Sequence, residues 1–293
     1  MSKISVVINT LNNESEISLA ISSVKNLASE IVVCDMESAD KTVEIAKKLG
    51  AKVFSHKKEK YVELVRNFTV SKATGDWILV LDPDEEISSK LASKLKEIIK
   101  NPQADYYRIS RKNIIFGKWI KHSRWWPDYN IRFFKKGFVS WDEIIHSVPM
   151  TKGKGMDLPG KEEYAIIHNN YSSIEGYLER MNRYSQVESE EMMKSGYVFS
   201  WKDLINKPLN EFLGRYFAGE GYKDGIHGLA LAFLQAFSEL VLYLKIWQKQ
   251  GFKDEKVHEW VLKDEINKSV KDLKWWMSKK FSFLWLKKFL KSA

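Results

Sequence analysis

This chain of 293 residues has a single cysteine, Cys34, so no disulfide can form within it. One lone thiol fits a reducing compartment, because disulfides persist only in oxidising ones. The first ten residues, MSKISVVINT, lack the long apolar segment of a secretory signal, and we expect no such signal. No internal repeat and no low-complexity linker interrupts the sequence. These absences favour a globular protein folded in a reducing environment.

Two glycine-rich phosphate-binding motifs are also missing. No GxGxxG follows the first apolar run, so the fingerprint of dinucleotide-binding proteins is absent. No GxxxxGK[ST] occurs either, which argues against a phosphate-cradling P-loop. Any phosphate that this protein binds must therefore be neutralised by a metal ion or by cationic side chains.

The composition is that of a folded protein with an excess of positive charge. Hydrophobic residues make up 44% and charged residues 29%, which excludes wholesale disorder. The formal net charge of +9 favours anionic partners, and nucleic acid, membrane lipid and nucleotide all remain open at this point. The lysines concentrate near the C-terminus beside tryptophans, which argues against nucleic acid as the partner.

The first hundred residues alternate between short apolar runs and helical patterns. The short apolar runs at 4–8, 31–34, 51–54 and 77–81 predict strands, and the run at 77–81 is continuously apolar, as in a buried strand of a parallel sheet. Helical spacing of apolar residues separates them, for example Ile17, Ile21 and Val24. This βαβαβαβ order predicts a parallel sheet with helices on both faces.

The pattern changes after residue 88. A helix is predicted at 88–100, and alternating segments at 104–116, 129–139 and 163–171 predict strands of a mixed sheet extension. From 172 onward the chain is predicted to be helical. The fold class is therefore α/β, a mixed, mainly parallel sheet flanked by helices, with an all-helical C-terminal extension. We place the domains at 1–171 and 172–293, with the first divided into halves 1–100 and 101–171.

The segment WILVLDPDEE at 77–86 carries the clearest chemical signal. Pro83 cannot extend the strand WILVL, so Asp82 and Asp84 lie at its carboxyl end. Ligands of open α/β sheets bind at that edge, and two acids two residues apart there suit a divalent cation holding a diphosphate. The same edge collects further polar residues from other strand ends and from the third helix: Thr10, Asn12, Glu14, Asp35 and Arg66.

Four segments taken in order carry a family resemblance: VVINTLNNES, IVVCDMESADKTVEIAKKLGAKV, RNFTVSKATGDWILVLDPDEE and WWPDYNIRFFKKG. Together they resemble glycosyltransferase family 2, and within it the bacterial lipopolysaccharide-core glucosyltransferase-like enzymes. The similarity spans roughly residues 3–245. A lone Asp-x-Asp is weak evidence, whereas four segments in order at sensible spacing are strong.

The resemblance implies a GT-A fold, with a nucleotide-binding half at 1–100 and an acceptor half at 101–171. It also implies roles for six residues and for a metal, Mn²⁺ or Mg²⁺. Thr10 and Asn12 line the nucleotide pocket, with Glu14 beside them. Asp35 contacts the uridine and Arg66 lies near the base and diphosphate. Asp82 contacts the ribose or a metal-bound water, and Asp84 ligates the metal.

Two of these assignments have a purely structural alternative. Asp35 could be a turn or helix-capping acid. Asp82 and Asp84 could form a solvated acidic turn before a helix capped by Ser88.

The reaction needs a base that deprotonates the acceptor hydroxyl, and carboxylates of the acceptor half are the candidates. We expect Glu143 or Asp142, with Asp128 third. From the resemblance we expect a histidine–glutamate pair near 146–147, but this chain reads His146-Ser147 there, which removes one candidate base. His168 is a candidate second metal ligand or else a satisfied histidine at a strand end. Two interpretations remain for His122, Trp125 and Trp126: they form a platform for the acceptor sugar, or they form a buried aromatic cluster.

The C-terminal region has the composition of a helix in a membrane interface. Residues 271–293 hold seven lysines and one aspartate interleaved with aromatic residues. A solvated basic helix packed on the domain is the alternative. The segment 226–247 has the length of a spanning helix but contains His227, Gln235 and Glu239.

The resemblance, together with the acidic strand end, implies a metal-dependent inverting glycosyltransferase that uses a nucleotide-diphosphate sugar, which the resemblance leads us to expect is a UDP-sugar. Its expected acceptor is a lipid-linked or lipopolysaccharide glycan, and its expected place is the cytoplasmic face of the inner or plasma membrane, bound peripherally to anionic lipid. Two alternatives remain from the sequence: a nucleotidyltransferase acting on a sugar phosphate, and a non-catalytic membrane-surface binding protein.

Overall fold

The structure is a computed structural model, and it describes residues 2–59, 62–142 and 149–280. The first part alternates strands and helices as the apolar runs predict. The elements are β1 Ile4–Thr10, α1 Ile17–Val24, β2 Glu30–Asp35, α2 Thr42–Lys48, β3 Lys52–Ser55, α3 Glu63–Lys72 and β4 Trp77–Leu81. The strands lie in the order β3-β2-β1-β4 and all three pairings are parallel. Every residue of β1 and β4 is buried, which explains the unbroken apolar sequence of β4 and the mostly apolar sequence of β1.

The sheet continues with strands from the second half of this region. The elements are β5 Glu85–Ile87, α4 Ser89–Lys100, β6 Tyr106–Ile115, β7 Lys118–Trp119, β8 Asp128–Lys135, β9 Val139–Ser140, β10 Met150–Thr151, β11 Gly155–Asp157 and β12 Ile166–Tyr171. Antiparallel β8 lies beside β4, and the order continues as β8-β6-β12-β5. The predicted fold class, a mixed sheet flanked by helices, is confirmed.

Apolar side chains of the helices and strands meet in one main core. α1 contributes Ile17, Ala20, Ile21 and Val24, all fully buried against the sheet. At the junction of the parallel and antiparallel strands, Trp77 stacks on Phe133 with ring centroids 4.8 Å apart. Side chains of this size each contribute about 1.5–3 kcal/mol when buried, so this core fixes the strand order on which the site depends.

The C-terminal part is helical, as predicted. Its helices are α5 Ile174–Lys194, α6 Asp203–Leu213, α7 Ile226–Lys249 and α8 Glu259–Lys280. The chain divides into two compact units, Met1–Ile114 with Trp126–Asn170, and Ile115–Trp125 with Tyr171–Ala293. The segment Ile115–Trp125 thus groups with the helices, although the sequence analysis counted it in the acceptor half.

Helix α7 corresponds to the apolar segment 226–247. Among the described residues it is the one helix whose length and composition would suffice to cross a membrane, with a mean hydropathy of 1.6. Its residues Leu231, Ala236, Leu242 and Ile246 are buried in the helical unit, where α7 packs on α5 and α6. Core helices of soluble proteins pass the same test, so this finding is weak evidence for a span.

Candidate active site

The carboxyl ends of three neighbouring parallel strands bring the predicted polar residues together. β1 ends at Thr10 and β2 at Asp35, and these two residues pair directly in the sheet register. Asp82 follows the last residue of β4, on the other side of β1. Thr10 and Asp35 are buried at 1% and 6% exposure, so their polar groups belong to the edge of the sheet rather than to open solvent. This edge is the ligand-binding edge of such sheets.

The loop that follows β1 is held by its own polar side chains. The hydroxyl of Thr10 donates to Asn13 Oδ1 at 3.0 Å. Asn12, at a positive φ of 54°, accepts from the Ala39 amide through Oδ1 at 2.8 Å. Glu14 accepts from the Lys41 amide at 2.9 Å. The predicted nucleotide-pocket residues therefore join the loops after β1 and β2 into one rim.

Asp35 closes a turn in the second of these loops. Its Oδ2 accepts from the Ser38 amide at 3.1 Å. The contact expected if Asp35 only stabilises a turn is therefore present. Contact of Asp35 with a uridine base stays a prediction.

Asp82 lies between two arginines. Its Oδ1 is 3.0 Å from Arg66 Nη2 and its Oδ2 is 2.6 Å from Arg132 Nη2. Burial alone would raise the pKa of Asp82, but the charges of Arg132 and Arg66 outweigh it and hold the pKa well below its usual range. The ionised form of Asp82 is therefore favoured, and both of its carboxylate oxygens are held by arginines. Ser88 does cap α4, by accepting from the Leu91 amide at 3.0 Å.

Arg132 bridges Asp82 to a second, fully buried carboxylate. Glu85 is 0% exposed, and its Oε1 is 2.7 Å from Arg132 Nη2. Its Oε2 accepts from the backbone amide of Asp82 at 2.9 Å, which folds the turn DPDE back on itself. Burial raises the pKa of Glu85 despite the nearby arginine. We missed Arg132 in the sequence, where its one signal is a charged residue inside the apolar strand pattern NIRFF.

Asp84 and His168 meet at the end of the same turn. β12 runs antiparallel to β5 with His168 opposite Glu85, and the Asn169 amide donates to the Asp84 carbonyl at 2.9 Å. This pairing brings His168 Nε2 to 3.4 Å from Asp84 Oδ2. The two predicted metal ligands, 84 residues apart in sequence, are therefore neighbours.

Asp84 and His168 fit a divalent cation whose remaining ligands come from the substrate and from water. Within the described ranges no group of three or more His, Cys, Asp or Glu side chains is arranged to hold a metal by itself. Mg²⁺-type sites commonly use one or two protein ligands together with phosphate oxygens and water. One carboxylate and one imidazole at the carboxyl edge of the sheet suit such a site, in which protein and substrate both supply ligands. Asp84 and His168 would therefore hold the ion.

The three candidate bases differ in their surroundings. Asp128 is engaged: Arg111 Nη2 lies 2.7 Å from its Oδ2, and the amides of Asn113 and Asn130 also donate to it. Asp142 is exposed. Glu143 and the pair His146-Ser147 lie outside the described residues.

Asp142 is tied to the strand edge by its neighbour in sequence. Trp141 exchanges two hydrogen bonds with Asn67, at 2.7 and 3.0 Å. The ring of Trp141 also lies 5.8 Å from the guanidinium of Arg66, which pairs with Asp82. The residue that precedes Asp142 in the chain is therefore anchored beside Arg66.

The proposed acceptor platform takes a different form in the structure. In the helical unit, His122 Nδ1 lies 3.1 Å from the buried carboxylate of Asp224. Trp125 packs on the apolar cluster that includes Ile115 and Leu231. Trp125 thus follows the alternative of a packed aromatic residue, while Trp126 belongs to the other unit.

Comparisons with known proteins agree on one family. Residues 5–152 match the model of "Glycosyl transferase family 2". An uncharacterized glycosyltransferase of Rickettsia typhi is 33% identical over 256 residues, which cover 84% of this chain and 87% of the relative. The lipopolysaccharide core biosynthesis glycosyltransferase LpsC of Rhizobium meliloti is 21% identical, over 85% of this chain and 94% of its own.

One solved structure illustrates the more distant matches. A mannosyltransferase of Pyrobaculum calidifontis, solved with GDP-Man and Mn²⁺, is 12% identical, with a TM-score of 0.44. The alignment covers 94% of this chain and 83% of that one.

Proposed function

Because this chain belongs to glycosyltransferase family 2, we propose that it transfers a sugar from a nucleoside diphosphate donor with the help of a divalent cation. The observation that carries the proposal is the meeting of Asp84 and His168 beside Asp82 at the carboxyl edge of the parallel sheet. Family membership makes the protein an enzyme and sets aside the non-catalytic alternative. The absence of a glycine-rich loop after β1 argues against the nucleotidyltransferase.

Each part of the donor has a group that suits it. The rim of Thr10, Asn12 and Glu14, with Asp35 at the end of β2, supplies polar atoms for a nucleoside, and we take that nucleoside to be uridine. Arg66 lies beside Asp82 and provides a cation near the diphosphate. Asp84 and His168 would hold Mn²⁺ or Mg²⁺, and the bound ion would neutralise charge that develops on the departing diphosphate.

The sugar-transfer step needs one carboxylate on the acceptor side. In an inverting displacement the acceptor oxygen attacks the anomeric carbon as the diphosphate leaves, and the base takes the hydroxyl proton. Asp128 is held by Arg111, Asn113 and Asn130, so we assign it a positioning role. The base is then Asp142 or its neighbour Glu143.

A titration of UDP with and without Mn²⁺ tests the donor site. We expect Mn²⁺ to tighten UDP binding to the wild-type protein, and the Asp84→Asn variant to lose this gain. Asp76→Asn is the matched control, because Asp76 lies at the opposite, amino end of β4. Equal metal dependence in the Asp84→Asn variant would contradict the metal role of Asp84.

Single replacements test the base. Turnover should collapse in Asp142→Asn or in Glu143→Gln while UDP binding persists, because the base acts on the acceptor alone. Asp128→Asn should affect UDP and metal binding as well as turnover. If both Asp142→Asn and Glu143→Gln remain fully active, the assignment of the base is wrong. A screen of UDP-sugars, measuring UDP release with metal present, identifies the donor.

The acceptor and the location of the enzyme form the last part of the proposal. The similarity to a lipopolysaccharide core enzyme favours a lipid-linked or lipopolysaccharide glycan as acceptor. Helix α8 supports peripheral binding to the cytoplasmic face of the inner or plasma membrane. It turns Leu262, Leu273 and Trp276 inward, while Trp260 and Trp275 are 68% and 51% exposed.

The exposed face of α8 also carries basic residues, among them Lys263, Lys271 and Lys274. Tryptophan favours the headgroup level and lysine is attracted to anionic lipid, at about 1 kcal/mol per residue. Co-sedimentation with vesicles containing phosphatidylserine should therefore weaken at least tenfold for Lys271→Glu with Lys274→Glu. Lys96→Glu with Lys100→Glu on α4 makes the same change in net charge and should matter little. Equal loss in both pairs would mean that net charge, and not α8, directs binding.

A further inference from the structure

A chain of hydrogen bonds runs through the sheet from Asp128 to His168, across strands β8, β6 and β12. Its middle member is Asn113 on β6, which is fully buried at 0% exposure. The Asn113 Nδ2 group donates to Asp128 Oδ2 at 3.2 Å. The Asn113 Oδ1 atom lies 2.7 Å from His168 Nδ1. Beyond these hydrogen bonds, Asp84 Oδ2 lies 3.4 Å from the other ring nitrogen of His168.

The surroundings of Asp128 determine which way the Asn113 amide points. Arg111 donates to Asp128 through Nε at 2.7 Å, and Asn130 donates to it at 3.1 Å. A carboxylate paired with a guanidinium accepts hydrogen bonds and donates none. The Asn113 NH₂ group must therefore face Asp128, which leaves its carbonyl oxygen to face His168.

This orientation in turn determines the proton position on His168. An amide oxygen only accepts hydrogen bonds, so the hydrogen between the two side chains belongs to Nδ1 of the ring. In the neutral imidazole the opposite nitrogen, Nε2, then carries the lone pair. That nitrogen is the one beside Asp84.

We propose that Asn113 is a positioning residue that holds His168 in the Nδ1–H tautomer and so presents Nε2, together with Asp84, to the divalent cation. This inference rests on the proposed metal site. Metal-binding histidines generally donate their second ring N–H to an oxygen that fixes the tautomer, and here a buried amide serves instead of a carboxylate. Asn113 is itself oriented by Asp128 and by the two residues that bond to it, Arg111 and Asn130. These three therefore act on His168 only through Asn113.

The tautomer can be read without metal or activity, by ¹⁵N spectra of the imidazoles in histidine-labelled protein free of metal. His168→Gln identifies the signals of His168. The wild-type ring should show a protonated Nδ1 and an unprotonated Nε2, and Asn113→Leu should shift it to the other tautomer or to a mixture. Asn113→Ser serves if the leucine variant fails to fold. Asn169→Ala is the matched control, because Asn169 follows His168 on β12 but its exposed side chain bonds to Glu86 and not to the ring.

Metal affinity provides the second readout, by calorimetric titration of Mn²⁺ in the presence of UDP. Loss of such an orienting partner costs about 10–100-fold in metal affinity, and we expect a loss of that order for Asn113→Leu but not for Asn169→Ala. A wild-type His168 with a protonated Nε2, either as the other tautomer or as an imidazolium, would overturn the inference. So would unchanged Mn²⁺ affinity in Asn113→Leu. If the wild type binds no Mn²⁺ while the tautomer is as expected, the proposed metal site fails and the proton assignment stands.

Discussion

Arg132 shows how much one buried charge can determine at the scale of a residue. It is 4% exposed and pairs with both Asp82 and Glu85, which the chain places three residues apart. Without it, Glu85 would remain buried with no cation closer than Arg111, whose Nη1 is 3.8 Å away. The arginine therefore keeps the acidic turn folded before any ligand arrives.

Replacing Arg132 by methionine should destabilise the fold by about 3–5 kcal/mol, because two carboxylates lose their buried partner. The measurement is the free energy of unfolding from urea denaturation. Arg108→Met is the matched control, since Arg108 pairs with Asp157 on the surface at 2.6 Å and such pairs contribute about 0.2–1 kcal/mol. Similar losses in the two variants would show that the buried network carries no special stability.

Sequence patterns predicted some site residues and missed others for a physical reason. Asp82 and Asp84 follow an apolar strand directly, so local sequence predicts their place. Arg132 and Asn113 act through pairings between strands that are far apart in the chain, β8 with β4 and β6 with β12. Periodicity identifies such strands but not their partners, so the sequence contains no local signal for these contacts.

At the scale of an element, the mostly apolar helix α7 contains one carboxyl group, that of Glu239, whose pKa is raised. Burial, together with the nearby Glu211 and Glu188, raises the pKa of Glu239 to about 7, although Lys207 and Arg215 act in the opposite direction. Between about pH 4.5 and 7 the folded chain holds a proton that the unfolded chain releases. The free energy of unfolding must therefore fall as the pH rises through that range.

Glu239→Gln should remove this loss, so that the variant becomes more stable than the wild type at pH 7 and above. Urea unfolding midpoints measured from pH 5 to 8 show how the stability of the wild type and that of the variant depend on pH. Glu265→Gln on α8 is the contrasting control: hydrogen bonds from Lys202 and Asn206 lower the pKa of Glu265, so its ionised form stabilises the fold at neutral pH. A Glu239→Gln profile parallel to that of the wild type would contradict the altered pKa.

The first turn of α7 depends on a glycine for close packing. A Cβ at Gly228 would meet the carbonyl oxygen of Gly221, which belongs to the preceding 3₁₀ turn. Gly228→Ala should therefore cost about 1–3 kcal/mol in the free energy of unfolding. Gly176→Ala in α5 is the control, because its Cβ would meet only Ser173 Oγ at 3.5 Å, and it should be neutral or gain about 0.5–1 kcal/mol. Equal effects of the two alanines would contradict the close approach.

At the scale of the whole molecule, the sequence predicts architecture better than it predicts sites. The region from β1 to β4 alternates between strands and helices, as its apolar runs predict. Each of its four strands lies within a few residues of its predicted bounds. The joining of β12 to β5 completes the candidate metal site, yet it depends on the packing of the full sheet. Likewise, nothing in the segment 115–125 signals that it belongs with the helices of the second unit.

Ligand binding should therefore stabilise one region of the molecule selectively. UDP with Mn²⁺ at about 100 times the dissociation constant stabilises the bound state by about 2.7 kcal/mol, and local openings that break the site must overcome this free energy. Amide hydrogen exchange should slow in residues 9–14, 35–42 and 82–86, whose backbones form the rim and the acidic turn. Exchange in α5 and α7 should change little. In Asp84→Asn the metal-dependent part of this protection should disappear, and protection confined to the helices would mean that the nucleotide binds elsewhere.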